Sequence, residues 1–211
     1  QHSDLGGGMA IAMKDLEIRG AGNLLGEEQS GHIADVGFDL YIRLVGEAVA
    51  DFRGEASEPE PEMKIELSVD AHLPTDYVES ERLRLEMYKR LASVREESEL
   101  DAVRAELLDR YGPLPEPVEN LFKVTRFRML CRSVGITEVL SAGTMIRFAP
   151  AVLPDSRDMR RARMYPGSRV NKQTAQLFLP RPMTRPVAGQ PVKDGELLEW
   201  ATQAVTALFV P

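Results

Sequence analysis

Glu81-Arg82-Leu83-Arg84-Leu85-Glu86-Met87-Tyr88-Lys89-Arg90-Leu91-Ala92-Ser93-Val94 is the stretch that decides the fold class. Leu83, Met87, Tyr88 and Leu91 recur at helical spacing and fall on one face. Arg82, Arg84, Glu86, Lys89 and Arg90 alternate in sign and read as a solvated face. The spacing predicts an amphipathic helix over 81–94. A second helix follows, with Ser98 as N-cap and Leu100, Val103, Leu107, Leu108 and Tyr111 inward, stopping at Gly112-Pro113. Pro115 and Pro117 open a third, which carries Val118, Leu121, Phe122, Met129 and Leu130 to a stop at Gly135.

Short strands flank this helical run. Before it, Ile65, Leu67 and Val69 alternate with polar residues as a half-buried strand does. After it, Ile136–Leu140 and Thr144–Ala149 read as strands joined across Ser141-Ala142-Gly143, and Ala175–Leu179 as another. Asp194 to Phe209 reads as a final helix with Leu197, Leu198, Ala201, Val205 and Leu208 on one face. Residues 65–211 are therefore expected to form one α+β domain, rich in helix and with a small sheet.

The amino-terminal part differs in kind. Residues 55–62 hold four glutamates and two prolines and read as a solvated linker, taken to span 55–64. Phe38 to Arg53 reads as a helix, with Phe38, Tyr41, Ile42, Val45, Val49 and Phe52 on one face and Gly54 as its stop. Met9-Ala10-Ile11-Ala12-Met13 suits a short buried strand, and Asp15 caps a brief helix through Arg19. Gly20, Gly22, Gly26, Gly31 and Gly37 mark an irregular loop. Residues 1–54 thus read as a strand–loop–helix appendage. The chain starts at Gln1 and its first methionine is Met9, so it is expected to be a piece of a longer protein or a processed product.

A net charge of -7 argues against a protein whose whole surface grips nucleic acid, so any DNA contact is expected to be local. The single cysteine, Cys131, rules out an intramolecular disulfide and suits a reducing cytoplasmic setting. No apolar run approaches the roughly 20 residues of a membrane helix. Gly20-Ala21-Gly22-Asn23-Leu24-Leu25-Gly26 is followed by Glu27-Glu28, whose carboxylates would repel a phosphate, so this loop is no nucleotide cradle. His2, His32 and His72 lie far apart, and with one cysteine no zinc set assembles. No catalytic residue, metal or cofactor is expected in this chain. Arg157, Arg160, Arg161, Arg163, Arg169 and Lys172 surround the single acid Asp158 and form a candidate basic patch for DNA or an acidic partner. The competing reading is an exposed helix face followed by a turn at Tyr165-Pro166-Gly167.

Residues 15–31, Asp-Leu-Glu-Ile-Arg-Gly-Ala-Gly-Asn-Leu-Leu-Gly-Glu-Glu-Gln-Ser-Gly, closely resemble a motif shared by the double-strand DNA translocases RecG and Mfd. The resemblance implies that residues 1–54 end a RecA-like motor lobe. It further implies that Arg19 and Gln29, held by Gly20, Gly22, Gly26 and Gly31, couple the motor to duplex DNA. Ala71-His72-Leu73-Pro74-Thr75-Asp76-Tyr77, residues 82–92 and Leu108-Asp109-Arg110-Tyr111-Gly112-Pro113-Leu114-Pro115-Glu116-Pro117 resemble the carboxyl-terminal domain of the transcription-repair coupling factor (Mfd) family.

That family implies a parent that uses ATP and magnesium to translocate on DNA, displace stalled RNA polymerase and recruit UvrA. In it this domain restrains the motor by docking on an amino-terminal UvrB-like module. The resemblance covers residues 3–148. A free-standing protein-binding adaptor, and a RecG-like fork-reversal enzyme, remain the alternatives.

Overall fold

The computed structural model describes residues 63–211, and these divide into two compact units. The first comprises residues 70–125. The second comprises residues 63–69 and 126–211. The expected strand, loop and helix of residues 1–54 and the linker up to residue 62 lie outside the described residues. At 63–64 the expected linker is corrected: Met63 is buried and Lys64 already begins a strand, because an apolar side chain and a strand pairing take over where the acidic run ends.

The first unit is helical. Helix α1 spans Glu81–Ser93 and begins where the Ser80 hydroxyl accepts a hydrogen bond from the Leu83 amide, satisfying one otherwise orphaned donor. Met87 and Leu91 are buried as the spacing predicts, whereas Leu83 and Tyr88 are only half-buried. Helix α2 spans Glu97–Tyr111 with Glu96, not Ser98, at its N-cap. Glu97 and Glu99 in its first turn favour that start, because carboxylates complement the positive end of the helix dipole. Gly112 ends α2 at φ +82°, a conformation that costs glycine little, and its amide bonds the Leu108 carbonyl at 3.0 Å. Leu100, Val103 and Leu107 are buried, but Leu108 is 50% exposed, which corrects its inward assignment. It lies about 100° around the helix from Leu107, at the edge of the apolar stripe.

Helix α3 spans Glu116–Ser133, its residues up to Thr125 belonging to the first unit and the remainder to the second. Val118, Leu121 and Phe122 are fully buried. Further along, Phe127 and Cys131 are buried while Met129 and Leu130 are half-buried, so the inward face differs from the one expected.

The second unit contains a five-stranded sheet in the order β1-β2-β3-β5-β4. Its strands are β1 Lys64–Glu66, β2 Glu138–Ala142, β3 Met145–Ala149, β4 Arg169–Asn171 and β5 Gln176–Pro180. Strand β1 pairs parallel to β2, and the other pairs are antiparallel. Ala142 faces Met145, which leaves Gly143-Thr144 as a two-residue hairpin turn with Gly143 at φ +63°. The connection is thus shorter than expected, and Ser141 and Ala142 belong to the strand. Strand β4 was not expected: its three residues are too short and too exposed to show alternation.

Ile65, Val139, Ile146, Phe148, Leu177 and Leu179 are buried, consistent with the period of two. Helix α4 spans Asp155–Met164 and buries no residue. Helix α5 spans Asp194–Phe209, the limits the sequence predicts, and buries Leu197, Leu198, Ala201, Ala204, Val205 and Leu208.

Candidate functional site

In the first unit the polar side chains converge on one loop, residues 70–80. Tyr88 on α1 accepts a hydrogen bond from the Leu73 amide at 2.8 Å. Asn120 on α3, itself only 3% exposed, donates to the Asp70 carbonyl at 3.0 Å. The Tyr77 hydroxyl reaches the Gly112 carbonyl at 2.9 Å and that of Leu107 at 3.3 Å, and its ring packs tilted on Tyr111 at 5.7 Å. Burial pushes the Tyr77 hydroxyl above its usual pKa, with Arg104 opposing and Glu119 and Tyr111 adding to the shift.

Arg84, expected on the solvated face, is instead 4% exposed. Its guanidinium donates to the Val78 carbonyl at 2.6 Å and the Glu79 carbonyl at 3.0 Å. The correction has a physical reason. Arg84 lies three and seven residues before Met87 and Leu91, on their side of the helix, and a single terminal nitrogen, Nη1, donates to both carbonyls there.

Charged pairs tie the helices of this unit together. Arg104 donates from both terminal nitrogens to Glu119, each at 2.6 Å, and sits 5.9 Å from the centre of the Phe122 ring. That bidentate bond to Glu119 is the main cause holding the Arg104 guanidinium above its ordinary pKa. Arg90 pairs with Glu106, which Arg110 also approaches at 3.7 Å.

In the second unit the structure places the basic patch residue by residue. Arg157 and Arg160 donate to the carbonyls of Phe209 at 3.1 Å and Ala207 at 2.7 Å. These are last-turn carbonyls of α5, which carries no basic residue of its own there, so α4 supplies the cations that its C-terminus favours. Arg161 binds Asp158 at 2.8 Å and both oxygens of Ser168, at 2.8 Å to the hydroxyl and 3.1 Å to the carbonyl. The bond to Arg161 holds the Asp158 carboxyl below the usual range, with lesser help from Lys172. Arg169 stacks 4.8 Å above the Phe178 ring. Arg163 and Lys172 are exposed. Arg19, Gln29, Gly20, Gly22, Gly26 and Gly31 lie outside the described residues.

Burial pushes the Cys131 thiol up to about 12. Cys131 should therefore resist alkylation at pH 8 in the folded chain and react once urea unfolds it. Its folded pKa is raised, so the stabilising effect is intact below the unfolded value of 9.0 and is lost as pH rises from 9 towards 12. The slope is about 1.4 kcal/mol per pH unit. Denaturant titrations of wild type and Cys131→Ala should converge over that interval; parallel curves would contradict it.

Among the described residues there is no group of three or more His, Cys, Asp or Glu suited to a metal, and no helix long and apolar enough to cross a membrane. Fold and side chains define a helix-rich α+β protein whose polar groups brace loops and helix ends. The TRCF domain family matches residues 67–157. The transcription-repair-coupling factors of Mycobacterium tuberculosis and Mycobacterium bovis are each 49% identical over 221 residues, which covers 99% of this chain and 18% of theirs. That of Staphylococcus haemolyticus is 42% identical over 148 residues, 69% of this chain and 13% of its own.

The chain thus spans less than a fifth of the length of the curated relatives it matches. A solved structure, the crystal structure of the C-terminal domain of transcription-repair coupling factor, superposes with a TM-score of 0.52 at 18% identity. It covers 71% of this chain and 97% of its own. The chain belongs to the transcription-repair-coupling factor family.

Proposed function

We propose that this chain supplies the regulatory carboxyl-terminal part of an ATP-dependent double-strand DNA translocase that removes stalled RNA polymerase at lesions and recruits UvrA. The observation that carries this reading is the 49% identity to transcription-repair-coupling factors along 99% of the chain. The architecture is compatible with it. The first unit is braced internally by bonds to the 70–80 loop, and its surface is rich in charge, which suits a specific and releasable contact with a UvrB-like module of the same protein.

Deleting residues 65–211 from the intact protein is expected to raise basal ATPase activity and UvrA binding together. Unchanged values for both would remove the autoinhibitory role. Upstream of this domain, Arg19 and Gln29 are proposed to couple the motor to DNA, since they match the translocation motif. Arg19→Ala should leave ATP hydrolysis measurable in the intact protein while abolishing polymerase displacement; displacement at the wild-type rate would end that assignment.

A further inference from the structure

Charge is strongly segregated along this chain. Residues 126–211 carry thirteen Lys and Arg against six Asp and Glu, whereas residues 1–125 carry thirteen against twenty-seven. An excess of seven positive charges therefore sits in the last 86 residues of a chain whose net charge is -7. The helix-rich part that resembles the regulatory domain does not account for it.

The second unit keeps these charges on its surface. Helix α4 buries no residue, yet two of its arginines are positioned by the α5 carbonyls of Ala207 and Phe209. A hydrogen bond to a carbonyl fixes a guanidinium without neutralising it. Arg157 and Arg160 thus remain formally charged while being held in place, and of the α4 arginines only Arg161 has a carboxylate partner among the described ion pairs. Arg163 adds an exposed cation on the same helix. Arg161 on α4 bonds the hydroxyl and carbonyl of Ser168, the residue before β4, at 2.8 and 3.1 Å, so α4 and β4 are neighbours, and Lys172 follows in the turn between β4 and β5. Arg169 at the sheet edge is exposed, its guanidinium stacked on Phe178.

We propose that α4 together with the β4–β5 turn forms a phosphate-contacting surface for duplex DNA, separate from any motor. Two features favour a phosphate backbone over an acidic protein. Nearly all the cations concerned are arginines, whose planar fork matches phosphate oxygens. Arg157, Arg160, Arg161 and Arg169 are also held in place, which suits an array of charges repeating about every 1.7 Å along the duplex axis, and the exposed Arg163 and Lys172 extend it. Phe178 is already covered by Arg169, and Tyr165 at the end of α4 packs edge-on with Trp200, so no row of free rings is offered to successive bases and single strands are disfavoured. The proposal stands apart from the autoinhibitory reading, and its test uses neither ATPase nor UvrA.

The test is fluorescence anisotropy of a labelled duplex of random sequence with the 211-residue chain, between about 50 and 200 mM salt. Salt-dependent binding is expected. The double variant Arg163→Glu/Lys172→Glu should weaken it about tenfold at low salt and make the salt slope shallower by about two. The milder Arg163→Gln/Lys172→Gln should act in the same direction, and thermal unfolding confirms that both variants fold. Arg82→Glu/Arg110→Glu, an equal change of charge in the first unit, should leave binding near wild type.

Met159, 74% exposed on α4, should be replaceable by Ser without loss. No binding at low salt would overturn the proposal, as would an equal loss in the first-unit variant, which would mean bulk charge alone. A loss on Met159→Ser as large as on charge reversal, or displacement of the duplex by polyglutamate at equal charge, would assign the surface to an acidic protein and overturn it as well.

Discussion

Phe122→Ala is expected to lower the unfolding free energy by about 3–5 kcal/mol, the range for removing a fully buried aromatic ring. Phe122 is fully buried on α3 within the apolar set that includes Leu91, Leu100, Leu107 and Val118. Loss of the ring removes its transfer free energy and leaves a cavity that the surrounding core closes only in part. Arg104 also loses the ring it lies against, although its bidentate bond to Glu119 survives. Leu108→Ala is the matched control. Leu108 is 50% exposed, so its truncation should change stability by no more than about 0.5 kcal/mol. Urea titrations of both variants decide the matter: comparable losses would mean that the inward face of α2 is wrongly placed.

Arg84→Met should cost about 1–2 kcal/mol, although methionine fits the apolar surroundings better. Two effects compete. Removing a buried guanidinium relieves its desolvation penalty, which by itself favours methionine. The Val78 and Glu79 carbonyls, however, belong to the backbone and remain behind, deprived of donors that now reach them at 2.6 and 3.0 Å. Val78 is buried, and its carbonyl left unpaired costs about 1–3 kcal/mol, whereas Glu79 is exposed and water can replace its lost donor, so the loss outweighs the relief only modestly. Arg84→Lys should fall between wild type and methionine, because an ammonium can donate to both carbonyls but lacks the planar group that places Nη1 between them. Calorimetric melting temperatures should follow that order; a methionine variant as stable as wild type would show that the two bonds contribute nothing net.

Arg84 also shows where the sequence stopped being legible. Its neighbours in sign, Arg82 and Glu86, are exposed as expected, and sign alternation gives no hint that the residue between them turns inward. What decides its burial is the 70–80 loop, whose carbonyls arrive from outside the helix. Leu108 is the converse case. It fits the helical period, but the stripe along α2 is narrower than the pattern suggests, and only the packed neighbours set its width. The basic patch divides in the same way. Six bases around one acid are visible in the residue order, whereas the capture of Arg157 and Arg160 by the end of a helix some 50 residues later is not.

Long periodic elements, by contrast, were readable without coordinates. Asp194–Phe209 appears with the expected limits, and α1 differs from expectation by one residue, since sixteen- and thirteen-residue helices repeat their apolar period several times. Strand β4, with three residues, repeats nothing.

The opening stretch from Glu81 to Val94 draws the line. Its order of residues sufficed to make it a helix, to start it at Glu81 and to turn Met87 and Leu91 inward, because periodicity is a local property of the chain. Which remaining side chains it buries, and that an arginine is among them, depended on carbonyls and rings that distant segments bring to its surface. Burial is a property of the assembled neighbours, and no single segment carries it.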